Sequence, residues 1–253
     1  MPARALVDYG RLLDVLPIEA ELLVAAGHRA APDALVPGCP GLTAGETVRH
    51  VGSVYRLVTD WVRGGRRPER WQREPDPGQP PEQFVLSNLR QLLAELRAHP
   101  HGQPCSTWWA EDESYGFWRR RMVHETIVHR VDVQAAVSDA EPIAEDLAVD
   151  GIDEVLTLWF ERRLDMLGVT GTRTATVLVR AGDRQWSVRS GPDGARTTRF
   201  DHVQDAAADA VVTGAPENIY LWLWGRLPDR VTRCEGNEDA VAQLWALLRL
   251  ATR

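Results

Sequence analysis

The segment HETIVHRVDVQAA, which begins at His124, carries a carboxylate and an imidazole four residues apart, Glu125 and His129. On a helix that spacing stacks the two side chains on one face, one turn apart. The zinc-protease pattern H-E-x-x-H is missed by one residue, because His124 and His129 lie five apart, about 140° around a helix, and cannot chelate one ion from one face. Trp118, Met122, Glu125, His129, Val133 and Ala136 fall on one stripe, so the face with the carboxylate is otherwise apolar and should point into a helical core. Burying a carboxylate there is costly unless it is paired or binds a metal. A second histidine sits in the same way, since His50, Val54, Leu57 and Trp61 also share a helical stripe. His50, Glu125 and His129 together form the ligand set of a catalytic zinc whose fourth position is open to water or sulfur, and other divalent metals accept the same trio. The competing reading is structural: a core histidine hydrogen-bonded in place, and a Glu–His pair bonded to each other. Asp132 is expected in a helix-surface ion pair with an arginine, or alternatively as the group that orients His129.

Other candidates are weaker. Arg119, Arg120 and Arg121, and the loop arginines Arg63, Arg66, Arg67, Arg70 and Arg73, have the chemistry to bind a carboxylate bidentately, but solvated charge is the expectation. Trp108 and Trp109 lie on a loop that either covers a bundle mouth or packs into the core. Cys39 follows Gly38 in a Pro-flanked turn with no adjacent base and is not expected to be catalytic. The chain has no G-x-G-x-x-G after a strand, no P-loop, no G-x-S-x-G elbow and no EF-hand loop.

The elements that must position the trio are helices in the first half. One is expected from about Ala5 to Ala26 with a break at Pro17; a second opens on the capping-box pair Thr43 and Glu46 and runs to about Arg63. A third starts with Pro81 in its first turn, and a fourth spans about Tyr115 to Val137. Amphipathic stripes and intervening loops predict an antiparallel four-helix bundle over residues 1–140. A polar connector, DAEPIAED, puts the boundary near 139–147, and a fifth helix follows from about Leu147 to Leu167. The runs TATVLVRAG and RQWSVRSG with a Gly-Asp turn predict a hairpin, Ala195–Phe200 a third strand, and Ala210–Thr213 and Arg230–Cys234 two more. These alternate with helices at Pro216–Trp224 and Asn237–Leu250. The fold class is therefore α+β, a helical bundle followed by a smaller α+β domain over residues 145–253.

Composition agrees with two modest cores: 253 residues, 44% hydrophobic and 26% charged. A net charge of −7 gives no electrostatic footprint for nucleic acid or an anionic membrane. All 29 basic residues are arginine, so Schiff-base and Walker-type lysine chemistry are excluded. Three scattered cysteines imply a reducing cytosol, and the absence of a signal peptide or spanning run predicts a soluble cytoplasmic protein with no membrane partner.

The histidine in GLTAGETVRHVGSVY, the E-x-x-x-H-R-x-D of HETIVHRVD followed by small residues, the helix DLAVDGIDEVL and the WLWGR near the end resemble the mycothiol-dependent maleylpyruvate isomerase family. The N-terminal domain of that family resembles the DinB-like metal-binding bundles. The resemblance covers nearly the whole chain and implies a divalent metal, most readily zinc, on His50, Glu125 and His129. It also implies mycothiol as thiol cosubstrate and an active-site arginine matched by Arg226; the second domain separately resembles a sterol-carrier-like α+β fold, which is the basis of a ligand-binding alternative. A metal-stabilised thiolate would attack an electrophilic small molecule, carboxylate-bearing or not, which the arginine neutralises. If the adduct persists the enzyme is a mycothiol S-transferase; if it rotates and expels the thiol it is a cis–trans isomerase. S-transfer is the expectation, isomerisation the alternative. From other classes, a non-catalytic small-ligand-binding protein and a metal hydrolase also fit, and both monomer and homodimer are compatible. A chain written only in arginine agrees with a GC-rich actinobacterium, the kind of cell that makes mycothiol.

Overall fold

The computed structural model describes residues 4–70, 72–137 and 140–252. They divide into two units, residues 1–142 and 143–253. In the first, four helices pack as a bundle: α1 (Tyr9–Arg29), α2 (Ala44–Gly64), α3 (Pro81–Ala98) and α4 (Tyr115–Ala135). α1 starts later than expected because the Asp8 carboxylate accepts from the amides of Gly10 and Arg11 and caps it there. Pro17 does not break it. Leu12, Leu13, Leu16, Ala20 and Leu23 on both sides of the proline are buried, and that burial outweighs a local cost of about 3 kcal/mol. The capping box of α2 is complete: Glu46 N–H donates to Thr43 Oγ1 at 3.2 Å and Thr43 N–H to Glu46 Oε2 at 2.9 Å.

α4 is buried nearly all round, beyond the single stripe that the sequence shows. Its arginines correct the expectation of solvated charge, because Arg119, Arg120 and Arg121 are all buried. Arg119 donates to the carbonyls of Leu96 and His99 and so closes the C-terminal end of α3. Arg130, fully buried, donates to Glu19 of α1 at 2.8 Å and to Gln134 at 2.8 Å. The basic loop after α2 is also less free than expected: Ser53 Oγ donates to Arg73 O at 2.6 Å and accepts from Arg73 N–H at 3.3 Å, while Arg49 pairs with Glu74 at 2.7 Å. Trp108 and Trp109 pack against Phe117, about 12 Å along α4 from Glu125, which favours the core-packing reading.

The second unit opens with α5 (Glu145–Glu154), which continues as a π-helical stretch over Val155–Arg163 and closes as α6 (Leu164–Leu167). The sequence predicts a uniform α-helix here. At the start of the wider stretch Thr157 Oγ1 donates to Asp153 O at 2.7 Å, giving that carbonyl a partner outside the backbone ladder. The five strands β1 (Ala175–Ala181), β2 (Arg184–Gly191), β3 (Gly194–Phe200), β4 (Ala210–Gly214) and β5 (Arg233–Gly236) form one sheet in the order β3-β2-β1-β4-β5. Only β1 and β4 run parallel. The β1–β2 turn uses Gly182 at φ 60°, a conformation that glycine adopts without strain. β5 begins later than expected because a 3-10 turn, Asp229–Val231, follows Pro228. Helices α7 (Pro216–Leu223) and α8 (Glu238–Ala251) complete an α+β unit. Trp186 Nε1 donates to Asp153 Oδ1 at 3.0 Å and fastens the sheet to α5.

No described helix is long and apolar enough to cross a membrane. The Arg130–Glu19 pair gives a stability prediction. Arg130→Met leaves a buried carboxylate without its cation and should cost about 3–5 kcal/mol in urea unfolding, whereas the double variant with Glu19→Leu should recover most of the loss.

Candidate metal centre

α2 and α4 lie side by side and antiparallel, as three contacts show. Trp61 and Trp118 are 5.3 Å apart between centroids, Tyr55 OH and Thr126 Oγ1 meet at 2.6 Å inside the bundle, and His50 meets Glu125. The register set by the first two delivers the third. His50 Nε2 is 3.0 Å from Glu125 Oε1, and His129 Nε2 is 3.3 Å from the same oxygen. The three ligand atoms lie within 4.8 Å of one another, the arrangement of residues able to hold a metal ion. His50, Val54 and Leu57 are half-buried, while Val51, Tyr55, Val58 and Val62 form the core face of α2. His50, Val54 and Leu57 thus lie on the flank of the bundle, while Trp61, at the end of the same stripe, is buried. The His50 side chain is 29% exposed against 14% for Glu125 and 13% for His129, so the cluster opens toward solvent on the α2 side.

Two further residues complete the centre. Arg121, one turn before Glu125, places its NH2 2.7 Å from Glu125 Oε2. Asp132 Oδ2 is 3.1 Å from His129 Nδ1 and the residue is 1% exposed, so it orients the imidazole and is not the surface ion pair expected. The sequence signal for both was spacing alone: four residues before the glutamate and three after the histidine. Burial is what separates these pairs from ordinary helix-surface pairs, and burial was not readable in the string.

The electrostatics follow from the geometry. Burial works to raise the Glu125 pKa, but His129, His50 and Arg121 override it and hold the carboxyl well below its usual range. For His129, burial opposes the charge, yet Glu125 and Asp132 push the imidazole up to about 9. With Asp132 on Nδ1, Nε2 is the nitrogen of His129 left to face the carboxylate, and two imidazole nitrogens with one carboxylate oxygen are donors that suit zinc and related divalent ions. The residues present therefore fit a metal.

Among the described residues, His124 and the cysteines are not part of the grouped ligands. His124 is fully buried on a different side of α4. Cys39, Cys105 and Cys234 form no disulfide with one another, and burial pushes the Cys105 thiol up to about 12, away from nucleophilic use at neutral pH. In the second unit Arg226 follows Gly225, which takes φ 73°, at the end of α7; its NH1 donates to Trp224 O at 2.8 Å and its guanidinium lies 5.8 Å from the Trp224 ring centre. A cation placed there can also meet the carbonyl end of α7.

A helical bundle with a His–Glu–His centre, followed by a mixed-sheet α+β unit, defines the class. Comparison with known proteins narrows it: residues 18–134 match the mycothiol maleylpyruvate isomerase N-terminal domain and residues 146–243 the C-terminal domain of the same family. The chain belongs to the mycothiol-dependent maleylpyruvate isomerase family. Two solved structures share its fold: a mycothiol-dependent maleylpyruvate isomerase at 14% identity and TM-score 0.59, and a histidine-to-alanine mutant of such an isomerase at 12% and 0.61. In each case 91% of this chain and 95% of the other are covered. No curated protein matches the sequence.

The ion-pair geometry predicts a measurable cost of neutralising the carboxylate. In chelator-treated protein, Glu125→Gln should lose about 3 kcal/mol of unfolding free energy, because Arg121 and the two imidazoles lose their shared anion.

Proposed function

We propose that this chain is a metal-dependent enzyme that uses mycothiol to isomerise a maleylpyruvate-type cis double bond. The observation that carries the proposal is the convergence of His50 Nε2, Glu125 Oε1 and His129 Nε2 in a chain whose two halves match the two domains of one family. Family and fold favour isomerisation over the S-transfer that the sequence reading preferred. A divalent ion bound there, zinc first by its donor set, would hold the thiol of mycothiol as thiolate at neutral pH.

Mycothiol, when bound, would supply reversible addition across the cis double bond, so that the carbon–carbon bond can turn while it is single and the thiol is released unchanged with the trans product. The part played by this chain is positional. Asp132 fixes the His129 ring, Glu125 brings its charge without its proton, and the half-open His50 side leaves room for an incoming ligand. By the resemblance of its WLWGR segment, Arg226 would be the cation for a substrate carboxylate or developing oxyanion, a task that in a chain without lysine falls to arginine.

The test combines zinc-loaded protein, mycothiol and maleylpyruvate. Fumarylpyruvate should form with mycothiol recovered unchanged, and alanine at His50, Glu125 or His129 should remove both the bound metal and the turnover. A stable mycothiol conjugate would instead establish S-transfer, and product formed without thiol would establish a hydrolytic or other role. Arg226→Ala should lower kcat/KM by about 10²-fold at unchanged metal content, the loss expected for one charge-stabilising donor.

A further inference from the structure

We infer that Arg121 is a positioning residue that makes Glu125 a one-oxygen donor to the metal. The inference rests on the metal-centre reading above and concerns a residue that the sequence placed among solvated charges. A glutamate and an arginine one helical turn apart are ordinarily a surface pair of little consequence. Here the Arg121 side chain is only 4% exposed, and its partner is the carboxylate at the middle of the cluster.

The two carboxylate oxygens have different company. Oε1 faces both imidazole nitrogens, at 3.0 and 3.3 Å, while Oε2 faces Arg121 NH2 at 2.7 Å. A free carboxylate offers a metal either oxygen or both, by rotation about its terminal bond. Turning Oε2 inward would break a short, charge-assisted hydrogen bond to a guanidinium that stays protonated at any working pH. Arg121 thereby keeps Oε2 out of reach of the ion and keeps a coordination position free for the thiol. It also leaves a fixed positive charge next to the place where an anionic sulfur must be accepted.

Cobalt(II) is the probe, since its visible absorption is strong when four-coordinate and weak when five-coordinate, and a thiolate ligand adds a near-ultraviolet band. Wild type and Arg121→Lys should each bind one cobalt per chain with the strong visible band and should gain the sulfur band on addition of mycothiol. Arg121→Met should still bind one cobalt, with loss of visible intensity and a reduced sulfur band. The same spectrum and sulfur band in Arg121→Met as in wild type would overturn the inference while leaving the metal centre standing. No cobalt bound by wild type would overturn the metal-centre reading and the inference with it. If Arg121→Met does not fold, Arg121→Gln is read by the same two bands with the same criterion.

Discussion

A carboxylate withdrawn from water needs cations or donors on every lone pair it offers, and Glu125 imposes that demand on the middle of α4. One oxygen is met by imidazoles from two helices, the other by a guanidinium one turn away. Meeting the demand ties α2 to α4 at a fixed register, which the Tyr55–Thr126 hydrogen bond and the Trp61–Trp118 contact hold farther along the same pair. The cluster is thus both a candidate reactive centre and a structural clamp. Its donors satisfy one another without an ion and still point their ligand atoms at a common place.

Arginine recurs among the buried charges of α4. Arg119 closes a helix end, Arg121 holds the glutamate and Arg130 bridges to α1, all from one helix. Each guanidinium has several N–H groups in a planar fork, so one residue can serve two carbonyls or a carboxylate and an amide, which an ammonium does less well. The absence of lysine from the sequence therefore goes with a particular style of interior, in which long cations are internal braces.

Much of the architecture was legible in the string because local signals and tertiary demands agreed. The Thr43–Glu46 capping box, Pro81 at the head of α3, the glycine turn of the hairpin and the four-residue step from Glu125 to His129 all describe geometry within one or two turns. What was misread depended on partners distant in sequence. Pro17 carries a helix-breaking signal that packing overrides, and Arg121 and Asp132 look like surface charges until the helices around them bury them. The π-helical stretch over Val155–Arg163 has no periodicity that sets it apart from an α-helix, and the start of β5 depends on a turn after Pro228.

The span between Glu19 and Arg130 also has a consequence for how the molecule is made. The two residues are 111 positions apart, and α1 packs chiefly against the last helix of its own bundle. A nascent chain therefore carries a completed first helix, with an acidic group meant for the interior, through the synthesis of α2 and α3 before its counterion emerges. Until residue 130 has left the ribosome the bundle cannot close around that charge. Until then Glu19 keeps its solvation by water in place of its buried partner.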